Sequence, residues 1–146
     1  MTTHATPSAS LGQYLLSAKE LTVAEKPLAP LGANDVQVAI KATTLCGSDI
    51  HYYQNGKNGT IEIKEPLCLG HEAAGEVIAV GKDATLSIGD RVAIECGIPC
   101  GSCELCRDGR YNLCGHLRFR GSGAAMPHFQ GTMQNVVNHP AEWVHR

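Results

Sequence analysis

The chain has 146 residues, seven cysteines, seven histidines and a formal net charge of −2, with acidic and basic residues interspersed. That pattern argues against nucleic-acid binding, which uses a concentrated basic face. No apolar run approaches the roughly 18 residues of a membrane span, and MTTHATPSASLGQ lacks the basic-then-apolar order of a secretory signal. An odd cysteine count does not suit a secreted disulfide framework, so a cytoplasmic location with reduced thiols is expected.

In chain order the elements read mostly as short strands. Residues 1–10, rich in Thr, Ala and Ser, are expected to be disordered. Tyr14 to Ser17 and Leu21 to Glu25 read as a hairpin, with Pro27 and Pro30 ending its second strand. Val36, Val38, Ile40 and Ala42 alternate with other partners, which predicts a half-buried strand. Cys46 to Gln54 carries a helical pattern that stops at Asn55-Gly56. Ala73 to Val80 reads as a strand that turns at Gly81, and the Gly89-Asp90 turn leads into Arg91 to Ile94. Gly131 to Val144 reads as one more strand or hairpin, interrupted by Pro140. Short strands with glycine turns at this spacing predict a barrel or sandwich. Arg107, Arg110, Arg118 and Arg120 form the one basic cluster and are expected on a solvated surface.

Two constellations carry chemistry. The first is Cys100, Cys103, Cys106 and Cys114, spaced C-x2-C-x2-C-x7-C. Four thiolates this close satisfy a tetrahedral zinc ion and leave no open position, which is a structural site. The polar lobe around them buries little core, so metal binding would supply its folding free energy. A disulfide arrangement is the alternative and would need an oxidising compartment; unrelated free thiols are the other. The second constellation is Cys46 with His71 and Glu72. One Cys, one His and one Glu give zinc three protein ligands and leave a position for water or substrate. Taken singly these residues are weak signals; their weight comes from sharing a chain with the four-cysteine lobe. Cys68 and Cys96 read as structural thiols. His128 reads as a residue without a metal partner or as part of a pocket wall.

The two constellations together make the chain resemble the zinc-dependent medium-chain alcohol and polyol dehydrogenases. The residues that carry the likeness are Cys46-Gly47-Ser48-Asp49-Ile50-His51, Gly70-His71-Glu72 through Val80-Gly81, Gly89-Asp90-Arg91-Val92 and the cysteine lobe. Cys46 to Tyr53 looks like the sorbitol, xylitol and L-idonate branch. Leu117 to Ser122 with Pro127-His128-Phe129 looks like L-idonate 5-dehydrogenases. The resemblance implies a mainly β fold with short helices: a GroES-like, partly open β-barrel over 11–146 bearing a zinc lobe over 96–115. It implies two zinc ions, one catalytic on Cys46, His71 and Glu72 and one structural in the lobe. Zinc acts there as a Lewis acid on the substrate oxygen, and a nicotinamide cofactor accepts the hydride. Ser48 and His51 match the family's proton relay, and Tyr52 matches a substrate-contacting aromatic, with Tyr53 read as core. The implied partners are small polyols or sugar acids such as L-idonate, sorbitol or xylitol, and full-length relatives are expected to be homo-oligomers.

No G-x-G-x-x-G follows a strand in these residues. NAD or NADP would therefore bind through a second, doubly wound domain that this chain does not contain. The expectation is an N-terminal catalytic domain alone, inactive in isolation, with a stand-alone zinc-binding or interaction module as the competing reading.

Overall fold

The computed structural model describes residues 6–146. Residues 1–5 of the segment expected to be disordered lie outside the described residues. The expectation does not hold at its other end. Ala9 and Ser10 open strand β1, and the Ser10 hydroxyl, in a side chain only 2% exposed, accepts the Val136 N–H at 2.9 Å. That contact spans most of the chain, so no local sequence signal announces it.

β1 (Ala9–Ser17) pairs antiparallel with β2 (Glu20–Pro27), the expected hairpin in slightly longer form. β3 (Asp35–Thr44) leads into helix α1 (Gly47–Asn55). The helix stops at Gly56, whose φ of 67° is the left-handed conformation that favours glycine. Three short strands follow: β4 (Lys57–Asn58), β5 (Ile61–Glu62) and β6 (Leu67–Cys68). β7 (Glu72–Val80) and β8 (Arg91–Ile94) stand as the glycine turns suggest. β9 (Gly97–Ile98) and β10 (Arg118–Phe119) pair at the base of the cysteine lobe, which contains the one-turn helix α2 (Glu104–Arg107). β11 (Val136–Pro140) and β12 (Val144–His145) complete the set.

The segment 131–144 is not a hairpin. β11 and β12 sit at opposite edges of a five-stranded sheet ordered β11-β3-β7-β8-β12, pairing with β3 and β8. The edges of a flat five-stranded sheet lie roughly 19 Å apart, four spacings of about 4.8 Å. Only Ala141–Trp143, a 3-10 turn, joins these two edges. Four residue steps reach about 14 Å when fully extended, and a 3-10 turn reaches less. The sheet must therefore curl toward itself, which produces the partly open barrel. Val36, Val38, Val77, Val92, Ile94, Val137 and Val144 fill its interior.

A second sheet, ordered β2-β1-β6, packs Leu15, Leu67 and Leu69 around Tyr52. Residues 133–136 tie the two sheets together. Met133 O accepts the Gln13 N–H, and Asn135 donates to Leu11 O while its own carbonyl accepts the Ile40 N–H, all at 2.9 Å. β3 departs from the half-buried expectation here. Gln37 is as buried as Val36 and Val38, because its amide donates to Pro7 O and to Asn138 Oδ1, each at 3.0 Å.

The arginine cluster divides. Arg107, Arg110 and Arg118 are exposed as expected, but Arg120 is only 3% exposed and corrects the reading of a uniformly solvated group. Its Nε donates to Nδ1 of the fully buried His139 at 2.9 Å, and its Nη1 and Nη2 donate to Gln130 O and Asn138 O. Burial, with the Arg120 charge adding to it, pushes the His139 imidazole down to about 3. The folded state thus keeps His139 neutral where the unfolded chain binds a proton. The resulting stability is complete above the ordinary imidazole range near 6.5 and is lost as pH falls toward 3. Urea titrations between pH 6.5 and 5 are expected to show this as a loss of up to about 1.4 kcal/mol per pH unit. His139→Asn, whose Oδ1 can replace Nδ1 as acceptor, should flatten that slope relative to the parent.

Candidate metal centres

The strand register builds the first centre. Thr44 on β3 lies opposite Glu72 on β7, so Cys46, two residues further on, arrives beside His71 and Glu72. One donor atom from each of Cys46, His71 and Glu72 lies within 4.8 Å of the others. Cys46 occupies the N-cap of α1, and His71 and Glu72 stand where the chain enters β7. Between them Gly70 adopts φ 87°, and a Cβ there would meet Thr132 Oγ1 at 2.9 Å. Only glycine makes this bend without strain.

A buried carboxylate organises the trio. Asp49, 2% exposed, accepts the Cys46 N–H at Oδ2 and the Gly70 N–H at Oδ1, both at 2.9 Å. Asp49 Oδ1 also lies 3.8 Å from His71 Nδ1. The imidazole thus turns Nδ1 toward a carboxylate, which leaves Nε2 as the ligand candidate. Phe119 packs on the ring with centroids 5.2 Å apart. The Thr44 hydroxyl donates to Glu72 Oε2. Glu72 is exposed while His71 is buried, so the donor set has a protein side and an open side. A soft thiolate, an imidazole and a carboxylate on three corners suit zinc with one free position.

The second centre is closed. Cys103 Sγ stands 3.4 Å from Cys106 Sγ and 3.9 Å from Cys114 Sγ, and Cys100 Sγ is 4.0 Å from Cys106 Sγ. A tetrahedron with Zn–S bonds of about 2.3 Å has edges of roughly 3.8 Å, so the four sulfurs already have zinc spacing. Backbone N–H groups of Cys100 and His116 donate to Cys114 Sγ at 3.4 Å. Hydrogen bonds from Ser102 hold the Cys100 thiol down at about 5. Cys96 is not a member of this group. Cys68 is fully buried, and burial pushes its thiol up to about 12, as an inert structural thiol requires.

Other expected site residues divide. Ser48 is half-buried and His51 exposed, one helical turn apart on the same face of α1. The two tyrosines are exchanged relative to expectation. Tyr52, read as a substrate contact, is 2% exposed in the core, and its hydroxyl accepts the Gly123 N–H at 3.1 Å. Tyr53, read as core, is 39% exposed and lines a groove with Leu45, Ile50, Leu69 and Met133 beside Asp49. His128 is buried; Nε2 accepts the Lys64 N–H and Nδ1 faces Ala125 O, which occupies both nitrogens.

Residues 32–146 match the family described as the alcohol dehydrogenase GroES-like domain. The chain belongs to this family. L-idonate 5-dehydrogenase of Vitis vinifera is 41% identical over 133 residues, 90% of this chain and 35% of that protein. Sorbitol dehydrogenase of Bacillus subtilis is 40% identical over 118 residues, 80% of this chain and 33% of that protein. The crystal structure of L-idonate 5-dehydrogenase from Escherichia coli superimposes with a TM-score of 0.86 at 34% identity, covering 93% of this chain and 39% of that one. The chain thus spans 33–39% of the length of these relatives. The mainly β, partly open barrel expected of a GroES-like domain is the fold observed. Among the described residues no helix is long and apolar enough to cross a membrane.

Asp49 was legible only as part of a motif, with no role attached. Its signal is an acidic residue three positions after the cap of a helix, where a carboxylate reaches back to the cap N–H. Asp49→Asn replaces one acceptor oxygen by a donor and should weaken zinc at Cys46, His71 and Glu72 by about 10- to 100-fold. Competitive chelator titration measures this, with lobe zinc unchanged as the internal control. Cys103→Ser should have the opposite selectivity: loss of the chelator-resistant zinc and a lower melting temperature, seen by elemental analysis and calorimetry.

Proposed function

We propose that this domain carries the metal-assisted chemistry of an oxidoreductase that moves a hydride between a secondary alcohol and NAD or NADP. The substrate class is a polyol or sugar acid such as L-idonate, sorbitol or xylitol. The observation that carries this reading is the open donor set of Cys46, His71 and Glu72, with Asp49 behind it. Zinc bound there supplies Lewis-acid polarisation of the substrate hydroxyl. Cys46 and His71 hold the protein side of the site, and the Thr44 hydroxyl steadies the Glu72 carboxylate at its exposed edge. Ser48 would relay the hydroxyl proton, releasing its own as it accepts, by way of the cofactor ribose to His51, which is exposed on the same helix face and would pass it toward solvent. Tyr53, Leu45 and Ile50 line an apolar groove that meets the site at Asp49. Cofactor binding belongs to a doubly wound domain, since no Gly-rich strand-to-helix turn lies within these residues. The closed four-cysteine group favours a second reading, a zinc-binding or interaction module without turnover.

Elemental analysis after mild chelation separates the two readings. Two zinc ions per chain are expected from the two donor groups. With cobalt in the open site, its visible bands should shift on adding L-idonate, sorbitol or xylitol, and Cys46→Ser should abolish those bands. One retained metal, or bands blind to all three compounds, overturns the enzymatic reading. Assayed alone with NAD or NADP, the 146 residues are expected to give no steady oxidation of these compounds.

A further inference from the structure

A cavity of about 260 Å³ is lined among others by Tyr14, Lys26, Arg120, His128, Gln134 and Asn138. None of Cys46, His71 or Glu72 contributes to it. Its wall holds a buried cation in an unusual state. Arg120 spends three of its five N–H donors on His139 Nδ1, Gln130 O and Asn138 O, all neutral acceptors. Two donors remain uncommitted. Among the described residues no carboxylate lies within 4.0 Å of Arg120, Arg118 or Lys26. Glu65 accepts the His128 backbone N–H.

Aromatic faces take part of the charge. The Phe129 ring lies 4.4 Å from the Arg120 guanidinium and 4.7 Å from that of Arg118, and Lys26 Nζ sits 4.0 Å over the Tyr14 ring. Such contacts moderate a cation but supply no net negative charge. The Asp35 carboxylate favours the Arg120 charge from a distance but forms no ion pair with it, and a buried guanidinium without a contacting counter-ion is costly, a cost relieved when an anion enters beside it. Burial pushes the Arg120 guanidinium down to about 10, the direction an absent anion leaves it.

We propose that this cavity binds a small phosphate group, free or as a phosphate ester, between Arg120 and Lys26. A guanidinium fork and an ammonium suit a dianion better than a singly charged carboxylate. The cavity is also wide enough to admit the organic part of an ester.

The zinc-loaded full chain is titrated calorimetrically with inorganic phosphate and separately with glycerol 3-phosphate, against sodium chloride at matched ionic strength. Saturable binding beyond chloride is expected. Lys26→Met should weaken it about tenfold, the value of one charge-assisted hydrogen bond. Arg120→Gln should abolish it; Lys26→Met, with a more exposed side chain, decides the matter if Arg120→Gln does not fold. Cys46→Ser should leave it unchanged, which separates this cavity from phosphate held at the open metal centre. Tighter glycerol 3-phosphate identifies an ester as the ligand, and equal affinity identifies free phosphate. Binding no stronger than chloride, unchanged in Lys26→Met or lost in Cys46→Ser overturns the proposal.

Discussion

Both oxygens of the Asp49 carboxylate are committed to backbone N–H groups that local structure leaves without partners. One belongs to Cys46 at the start of α1, where helices lack internal acceptors, and the other to Gly70 in a left-handed bend. Backbone donors this buried need acceptors, and a carboxylate satisfies both at once while adding favourable charge at a helix N-terminus. Cys46 and His71 stand immediately beside the two anchored groups. The open metal centre is therefore held through the main chain as much as through its ligand side chains. A neutral amide at this position would keep the volume and lose the second acceptor, so its effect should fall on ligand geometry more than on the core.

The two centres solve different problems with related donors. In the lobe, four sulfurs within about a tetrahedral edge of one another enclose a metal completely, and no helix or strand longer than four residues supports them. A metal bound there would take the place of a core. At Cys46, His71 and Glu72 the supports are a nine-residue helix, a nine-residue strand and a ten-residue strand. Regular structure rather than a metal positions these donors, so three of them suffice and a fourth coordination position could stay open for chemistry.

What the sequence made legible follows from how local each signal is. The cysteine lobe, the α1 stop at Asn55-Gly56 and the Gly89-Asp90 turn depend on neighbours in the chain, and each stands where expected. The donor set of Cys46, His71 and Glu72 came from residue types and a family likeness, and the β3–β7 register brings its members together. The misses depend on distant partners. Tyr52 and Tyr53 differ by one helical step, and which of them faces Leu15 and Leu67 is decided by the rotation of α1 against β1. Arg120 looked like one more surface arginine because its acceptors, Gln130, Asn138 and His139, come from the following strand and loop. Segment 131–144 looked like a hairpin because nothing local reveals that β11 and β12 close opposite edges of one curled sheet.

That closure also links the two centres. β9 and β10 leave and re-enter the barrel on either side of the lobe, pairing Gly97 with Phe119 and Ile98 with Arg118. Phe119 is the residue that packs on His71. The next residue, Arg120, donates its N–H to Cys96 O, and Gly121 N–H bonds to Phe129 O, so the return strand is anchored just past its C-terminal end. The path of the chain through Cys100 to Cys114 thus sets where Phe119 lands. The return from the lobe presents the Phe119 ring to the His71 imidazole, with centroids 5.2 Å apart. The two donor groups are therefore joined through one aromatic contact, although the lobe supplies no ligand to the open one.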